Sequence, residues 1–491
     1  MCCRVLCAWV RGNAISIALG VGLLLLFLKF FLWPLVHFDV PLGYDAGIYR
    51  YLFLQYGEAF PPFTFPDLPP WAREHPPGLF LFSSLLLHLG VPVDWLVGWM
   101  WNFFPILLAV CFSVVVWRKW GRAVGIVTLL LFAFAPAYYD GFAAMYWKTF
   151  AALLWMVLSF SFLERRKWGF GGVFAFLTLI THQQTGLLFV LATVSWLFLS
   201  ACSSWFRGGF SRRHFLMFLV GSAVLLGLVA LSYGKLFDDI VVRLLPLLFQ
   251  GPRAPPGSFP SPDFYLRHSW PLLLFGMLGV LRDLRRERWT LWQLTLLFGF
   301  LFIALRLVFY RRFFLQFEFF LIPFIACTIV LLWRRWSSPL LRGSMIVLLF
   351  VQGIFSVQVM VQRTPAISAE IFAAVRSFPV PVPDRALVLT LEPTTTPFLR
   401  GWLPTHRIGG PGLFDSSWSE EQWEQFLLGT PQDRRALLQS LPGPVFLFVS
   451  PEFFSLYGRD AERFLADPCF EKGHQAFLYR VKEQCTMPLP L

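Results

Sequence analysis

Long apolar runs separated by short polar connections fill the first 360 residues of the chain. A helix that crosses a bilayer needs about 20 apolar residues, and about eleven runs approach that length. The pattern therefore predicts a polytopic α-helical membrane protein with about eleven transmembrane helices. The predicted spans are residues 14–33, 95–117, 123–139, 147–163, 168–182, 186–203, 214–234, 269–281, 290–308, 314–333 and 341–360.

The basic residues predict the orientation of these spans. Clusters such as Arg118 with Lys119 and Arg334 with Arg335 follow every second run, and basic connections face the cytoplasm in membrane proteins. The N-terminus is therefore predicted to be cytoplasmic in a multi-pass plasma-membrane protein, with the chain after residue 360 outside. The run 76–90 is short for a span, so it predicts an interfacial or re-entrant helix. Lys29 within the first span is expected to snorkel outward.

Residues 361–491 are more polar and contain short apolar runs. They predict a small extracytoplasmic α/β domain that follows a transmembrane domain over residues 1–360. Cys469 and Cys485 could form a disulfide there, because disulfides form outside the cell. The predicted strands are 386–391 and 445–449, and the predicted helices are 368–377, 420–428 and 431–441.

Composition agrees with a membrane protein. The chain is 57% hydrophobic and only 14% charged, whereas soluble proteins carry about 25% charge. This composition excludes a soluble or disordered protein. The net charge of +13 is divided among separate clusters rather than one patch, so no nucleic-acid partner is predicted.

Candidate chemistry begins in the long first outer loop, residues 34–94, because long ordered loops usually carry function. Asp45 and Tyr49 are spaced for one face of a helix, and Asp45 could simply cap it. Glu74 and His75 precede two prolines that predict a helix start. They could bind a divalent ion or orient a phosphate or sugar hydroxyl, or they could only cap and solvate the helix.

These elements together resemble a known family. An anchor helix, the Gly43-Tyr44-Asp45 element with Tyr49, and Glu74-His75-Pro76-Pro77 resemble the GT-C superfamily of membrane glycosyltransferases, and within it protein O-mannosyltransferases and lipid A aminoarabinose transferases. The resemblance implies that Asp45 is the catalytic base and that Tyr49, Glu74 and His75 contact substrate. It also implies a GT-C-like fold.

The resemblance continues into the later spans. Ala135-Pro136 is similar to the family's Ser-Pro element. The family's second acidic position aligns with Tyr146, so nearby Asp140 is the substitute candidate for a second catalytic acid. His182 replaces a family lysine within Thr181-His182-Gln183-Gln184-Thr185-Gly186, and Tyr310-Arg311-Arg312-Phe313 resembles a basic-aromatic element. Lys148, His182, Arg311 and Arg312 are the further candidates for substrate or phosphate binding.

The resemblance implies an inverting hexosyltransferase. It would move a mannose-like sugar from a polyprenyl-phosphate carrier to a hydroxyl of a protein, lipid or glycan on the outer face of the membrane. A divalent metal ion held by Glu74, His75 and His182 is conceivable. Two alternatives remain open: a lipid or glycan transporter or flippase without chemistry, and an inactive binding protein of the same fold. A transporter should show internal repeats, and none is evident.

Overall fold

A computed structural model describes residues 16–59, 64–73, 75–208, 212–233, 257–286, 289–307, 309–378, 383, 386–411, 413–414, 418–441, 443–473 and 477–486. Contacts divide the chain into two compact units. The first, called the helical unit, comprises Met1–His37, Pro76–Leu79 and Trp99–Arg363. The second, called the α/β unit, comprises Phe38–His75, Phe80–Gly98 and Thr364–Leu491. Most of the predicted first outer loop therefore belongs to the same unit as the predicted C-terminal domain.

Every predicted span contains a helix. Because the sequence alternates apolar runs with Pro, Gly or basic residues, most helices begin and end within a few residues of the predicted boundaries. The span predicted at 269–281 is a longer helix, Pro262–Arg286. In chain order they are α1 (Ser16–His37), α2 (Ala46–Ala59), α3 (Pro70–Arg73), α4 (Gly78–His88), α5 (Val93–Val97), α6 (Trp99–Trp120), α7 (Arg122–Ala133), α8 (Pro136–Ala143), α9 (Trp147–Glu164), α10 (Trp168–Thr181), α11 (Gln183–Gly208), α12 (Arg212–Tyr233), α13 (Pro262–Arg286), α14 (Leu291–Ala304), α15 (Phe313–Arg335) and α16 (Pro339–Gln362).

The predicted number of crossings is not confirmed. Among the described residues, six helices are long and apolar enough to cross a membrane, and the bent pair α7–α8 makes a seventh if it counts as one span. Helices α10 and α14 have 14 residues each. At 1.5 Å per residue they are about 21 Å long, which is shorter than a hydrocarbon core of about 30 Å.

Helices α7 and α8 meet at a bend of 54° because Pro136 begins α8 and cannot continue the hydrogen bonding of α7. Lys29 donates hydrogen bonds from Nζ to the Ala133 carbonyl (2.8 Å) and to Ser356 Oγ (2.6 Å). Its side chain is buried, so the expectation that Lys29 snorkels outward is wrong. The bend offers a buried carbonyl acceptor that a continuous helix would not.

Two further side chains satisfy backbone groups at this bend. Glu318 Oε2 accepts a hydrogen bond from the Tyr138 N–H at 2.8 Å. Gln352 Nε2 donates to the Phe134 carbonyl at 2.9 Å. A lipid-embedded chain has no water to satisfy such groups, so these polar residues stabilise the broken helix from neighbouring spans.

The α/β unit contains a six-stranded mixed sheet with the strand order β3-β2-β1-β4-β6-β5. Strand β1 pairs in parallel with β2 on one side and with β4 on the other. The predicted strands correspond to β1 and β4, and the three predicted helices are also present. The elements are α17 (Ala369–Arg376), β1 (Leu387–Thr390), α18 (Thr396–Trp402), β2 (Arg407–Gly410), β3 (Leu413–Phe414), α19 (Glu420–Leu428), α20 (Pro431–Gln439), β4 (Val445–Phe448), α21 (Pro451–Tyr457), α22 (Arg459–Leu465), β5 (Phe470–Lys472), β6 (Leu478–Val481) and α23 (Glu483–Thr486).

The two faces of this sheet are covered by different helices. Leu387, Leu389 and Leu391 share a buried apolar core with side chains of α19 and α20, such as Phe426. The Thr390 hydroxyl points to the other face and bonds to the Thr396 hydroxyl of α18 at 2.6 Å. A disulfide joins Cys469 and Cys485, as the sequence allowed.

Helix α2 of the predicted outer loop packs against α18 through glycine. A Cβ added to Gly47 would lie 1.8 Å from the carbonyl oxygen of Pro397, and one added to Gly401 would lie 2.5 Å from the Cα of Gly47. The two backbones can approach this closely only because both positions lack a side chain. Arg50 of α2 also donates to the Gly401 carbonyl at 2.6 Å.

Candidate functional site

The helical unit brings three of the predicted site residues together. The charges of Lys148 and Arg312 both act on the His182 ring. His182 Nε2 lies 3.4 Å from the Thr149 hydroxyl, and His182 Nδ1 lies 2.9 Å from the Thr185 hydroxyl. We call Lys148, His182 and Arg312 the cationic cluster, although the histidine itself is the neutral member.

The pKa of His182 supports this description. Burial lowers it well below its ordinary value, and the nearby Lys148 and Arg312 charges lower it further. The imidazole is therefore neutral at neutral pH, and it offers one donor and one acceptor nitrogen to its surroundings.

Three helix N-termini meet at the cationic cluster. Lys148 is the second residue of α9, His182 directly precedes α11, and Arg312 is the N-cap of α15. The N-terminus of a helix carries about half a positive charge and several unpaired N–H groups. Three such ends, with a lysine and an arginine, form a site suited to an anion such as phosphate.

The Arg312 guanidinium contacts two aromatic rings, but not all of its N–H groups make hydrogen bonds. Its Cζ lies 5.6 Å from the centroid of the Tyr146 ring and 4.9 Å from that of Phe309. Its Nε is buried and makes no hydrogen bond with any described residue. Buried donors usually have partners, so this arginine retains hydrogen-bonding capacity for a ligand.

Both connections that present the cations contain a strained residue. Met145 has φ 58° and Phe309 has φ 53°, in the left-handed region that costs a non-glycine residue of order 1 kcal/mol. Met145 lies three residues before Lys148, and Phe309 lies three before Arg312. Such strain concentrates at functional sites.

Within the helical unit, the Pro76-Pro77-Gly78 element packs against the residues that directly precede His182. A Cβ on Gly78 would lie 2.7 Å from the Thr181 hydroxyl and 2.8 Å from the Ile180 carbonyl. The start of α4 therefore packs directly on the end of α10, which His182 terminates. As predicted, α4 begins immediately after Pro76 and Pro77.

Asp45 lies in the α/β unit, directly before α2, and its carbonyl accepts the Tyr49 N–H at 2.9 Å. Its side chain is half-buried. Burial raises the pKa of neighbouring Tyr44, and the charges of Asp45 and Glu392 raise it further. Asp45 and Glu392 therefore both act on the Tyr44 phenol, and Glu392 is an acidic residue of the C-terminal segment that the sequence did not single out.

The other predicted residues of the first loop have different surroundings. Tyr49 is buried, with its ring 6.1 Å from Phe53 and 6.2 Å from Phe80 between centroids. His75 is half-buried, and its ring lies 6.4 Å from that of Trp71. Glu74 lies outside the described residues.

Two predicted residues of the helical unit are not in the cationic cluster. Arg311 lies over the adjacent Tyr310 ring at 5.9 Å. Asp140 accepts hydrogen bonds from Arg363 Nε at 2.6 Å and from the Tyr265 hydroxyl at 2.6 Å. It is only 4% exposed, so both oxygens of its carboxylate are engaged within the unit.

No group of three His, Cys, Asp or Glu side chains among the described residues is arranged to hold a metal ion. The suggested ligands Glu74, His75 and His182 therefore gain no support from the part of the chain that the structure describes, and no chemical step is assigned to a metal below.

Sequence reasoning missed one polar residue beside the cationic cluster. Gln316, one turn into α15, is 1% exposed and donates from Nε2 to the Thr185 hydroxyl at 3.4 Å. Its amide oxygen has no hydrogen-bond partner among the described residues. A glutamine within an apolar span is itself a functional signal, so the sequence alone could have singled out Gln316.

Comparison with known proteins identifies the fold. No protein-family model matches the sequence, and no curated protein matches it significantly. Among solved structures, the chain is similar to an apo oligosaccharyltransferase from Archaeoglobus fulgidus, with a TM-score of 0.63 and 12% identity over 90% of this chain and 70% of that chain. The chain has the GT-C membrane fold.

Two further crystal structures share the GT-C fold with this chain. One is the same oligosaccharyltransferase in complex with Zn and sulfate, at 12% identity over 96% of this chain and 74% of that chain, with a TM-score of 0.59. The other is apo ArnT from Cupriavidus metallidurans, at 14% identity over 98% of this chain and 100% of that chain, with a TM-score of 0.56. The resemblance predicted from the sequence is confirmed for the fold.

Proposed function

We propose that the protein is a membrane glycosyltransferase that moves a mannose-like hexose from a polyprenyl-phosphate carrier to a hydroxyl acceptor outside the cell membrane. The observation that carries this proposal is the cationic cluster at three helix N-termini. A lipid-linked donor presents a phosphate at the membrane boundary, and the cluster offers the charges that would neutralise it. Structural neighbours with the same fold include an oligosaccharyltransferase.

In this proposal the cationic cluster binds the donor phosphate. Arg312 supplies its free Nε and delocalised charge, and Lys148 supplies a point charge. Neutral His182 holds Thr149 and Thr185 in place, because its Nδ1 accepts from the Thr185 N–H and its Nε2, the one donor, lies beside the Thr149 hydroxyl. As the glycosidic bond breaks, negative charge grows on the phosphate oxygen. Preorganised positive groups stabilise that charge more in the transition state than in the substrate.

Asp45 is assigned the role of general base. It takes the proton of the acceptor hydroxyl while that oxygen attacks the anomeric carbon, and the bond from this carbon to the phosphate oxygen breaks. The products are the glycosylated acceptor and the free polyprenyl phosphate. Direct displacement inverts the anomeric centre. Asp140 is assigned a structural role instead, because Arg363 and Tyr265 occupy its carboxylate.

The test measures release of polyprenyl phosphate from polyprenyl-phosphate mannose by the full chain in nanodiscs, with membrane extract as acceptor. Asp45→Asn should lower kcat by about 10²–10⁴-fold, the usual effect of removing a general base. Asp67→Asn, an exposed acid of the same loop, is the matched control and should retain activity. Equal turnover by Asp45→Asn and the control would remove the base assignment.

A second pair of variants tests the phosphate role. Arg312→Gln should raise the KM for the donor by about 10- to 100-fold, because a hydrogen bond to a charged group is lost. Arg335→Gln changes an exposed arginine at the other end of the same helix and should behave as wild type. Donor translocation across the bilayer without any phosphate release would favour the transporter or flippase alternative, and neither activity would favour the inactive binding protein.

A further inference from the structure

The α/β unit has a topological switch point in its sheet. From β1 the chain passes through α18 to β2 on one side, and later returns through α19 and α20 to β4 on the other side of β1. The two crossovers cover opposite faces of the sheet. In open α/β sheets, ligands bind outside the carboxyl ends of the strands at such a point.

Polar residues follow β1 and β4 at the carboxyl-end edge of the sheet. Glu392 and Ser450 each lie two residues beyond the end of β1 and β4, and Ser450 Oγ donates to Glu392 Oε1 at 3.2 Å. The Thr394 N–H donates to Glu392 Oε2 at 2.6 Å, and the Thr395 N–H donates to Oε1 at 3.1 Å. Glu392 is 1% exposed, so it holds the loop after β1 to the loop after β4.

Two polar atoms at this edge have no partner within the described residues. Thr395 is fully buried, and its hydroxyl makes no hydrogen bond; the Oε2 atom of Glu452, two residues beyond Ser450, is buried and also makes none. Leaving such groups unpaired costs free energy. A bound molecule rich in hydroxyl donors would satisfy the Glu452 carboxylate at the rim.

Aromatic rings accompany these acceptors. Burial and the charge of Glu392 raise the pKa of both Tyr44 and Tyr457, which places both phenols near that carboxylate. The two tyrosines, Thr394 and Glu452 are half-buried and form the accessible rim. Carboxylates, hydroxyls and amphipathic tyrosine rings suit a ligand with both polar groups and apolar faces, as carbohydrate has.

The same edge also includes the candidate base. The contact of Gly47 with Pro397 fixes the first turn of α2 to α18, directly after Thr395. Asp45 precedes that turn by one residue, and like Glu392 it acts on the Tyr44 phenol.

We propose that this edge, formed by Tyr44, Thr394, Thr395, Glu452 and Tyr457 over Glu392, binds a carbohydrate acceptor and presents one of its hydroxyls to Asp45. The proposal rests on the proposed function and deepens it, since it selects a glycan over a peptide acceptor. Glu392 and the fully buried Thr395 are positioning residues, whereas Glu452 at the rim contacts the sugar.

The test uses saturation-transfer NMR on the full chain in nanodiscs, with methyl α-mannopyranoside and maltose as probes and the peptide Ala-Ser-Ala as the alternative ligand. Wild type should show sugar signals and no peptide signals. Glu452→Gln should weaken probe binding by about tenfold, as expected for a hydrogen bond to a charged group. Thr395→Val, which changes a buried residue beneath the rim, should weaken it by about fivefold through the position of the loop. Glu420→Gln, an exposed acid of α19, is the matched control and should bind as wild type.

A stability readout separates binding from folding. Neither Thr395 Oγ1 nor Glu452 Oε2 bonds to a described residue, so both variants should keep the wild-type apparent Tm while losing the sugar. Absent sugar signals, sugar signals unchanged in both variants, or peptide signals in their place would overturn the proposal. Donor turnover measured on the same samples distinguishes the two ideas: turnover without sugar binding rejects only this inference, and sugar binding without turnover rejects only the glycosyltransferase proposal.

Discussion

A single histidine shows how the environment decides a residue's chemistry. His182 is neutral because burial and two neighbouring cations lower its pKa. In the unfolded chain the same side chain takes up a proton below about pH 6.5. The unfolded state then binds more protons than the folded state, so stability rises with pH through that range and is lost as the pH falls.

We therefore expect the apparent Tm of the wild type to fall between pH 7 and pH 5, and that of His182→Gln to fall less. The difference should approach about 1.4 kcal/mol per pH unit below the unfolded pKa. Thermal unfolding in detergent at several pH values measures it. His88→Gln, which changes an exposed histidine, should keep the wild-type slope. Parallel slopes for wild type and His182→Gln would show that His182 is protonated in the fold.

At the scale of single residues, the sequence predicted the cationic residues but not which of them lie together in the structure. Lys148, His182 and Arg312 are identifiable because each is an ionisable residue between apolar runs. Whether Arg311 or Arg312 would join the cluster depends on the turn after Phe309, whose positive φ no sequence pattern indicates. Glu392 could not be linked to Asp45 at all, because more than 340 residues separate them.

Helices and strands could be predicted where the local sequence signals are strong. Ser419 and Thr430 each begin a helix with a reciprocal capping box, and those helices were predictable from sequence. Strands β2, β3, β5 and β6 have two to four residues each and, unlike β1 and β4, do not lie within a longer continuous apolar run, so the sequence did not indicate them. The order of strands depends on contacts far apart in sequence, so the switch point was not predictable.

The bend between α7 and α8 is held by hydrogen bonds from side chains that lie far away in sequence. Lys29→Met should lower the apparent Tm, because it removes the hydrogen bonds from Nζ to the Ala133 carbonyl and to the Ser356 hydroxyl, each worth about 0.5–1.5 kcal/mol. Leu24→Met on the same helix, at a position 55% exposed, is the matched control and should not change it. Thermal unfolding in nanodiscs measures both, and an unchanged Tm for Lys29→Met would mean that the bend does not need this donor.

At the scale of the whole molecule, the predicted orientation depends on whether the number of membrane crossings is odd or even, and not on the number itself. Between the basic connection at Lys167 and the C-terminal segment, the described residues (168–208, 212–233, 257–286, 289–307 and 309–362) contain seven long helices, α10 to α16. If all seven cross, or if the two short helices α10 and α14 both fail to cross, the number stays odd. Lys167 and the C-terminal segment would then lie on opposite sides of the membrane, with the basic connection cytoplasmic.

Cysteine accessibility tests this prediction directly. In a chain whose free cysteines are replaced, Ser455→Cys on the exposed face of α21 should react with a membrane-impermeant maleimide on intact cells. Lys167→Cys, also exposed, should react only after the membrane is permeabilised. Labelling of both positions on intact cells would mean an even number of crossings between them. Labelling of Lys167→Cys alone would invert the orientation, and Asp45 would then need a donor on the cytoplasmic face.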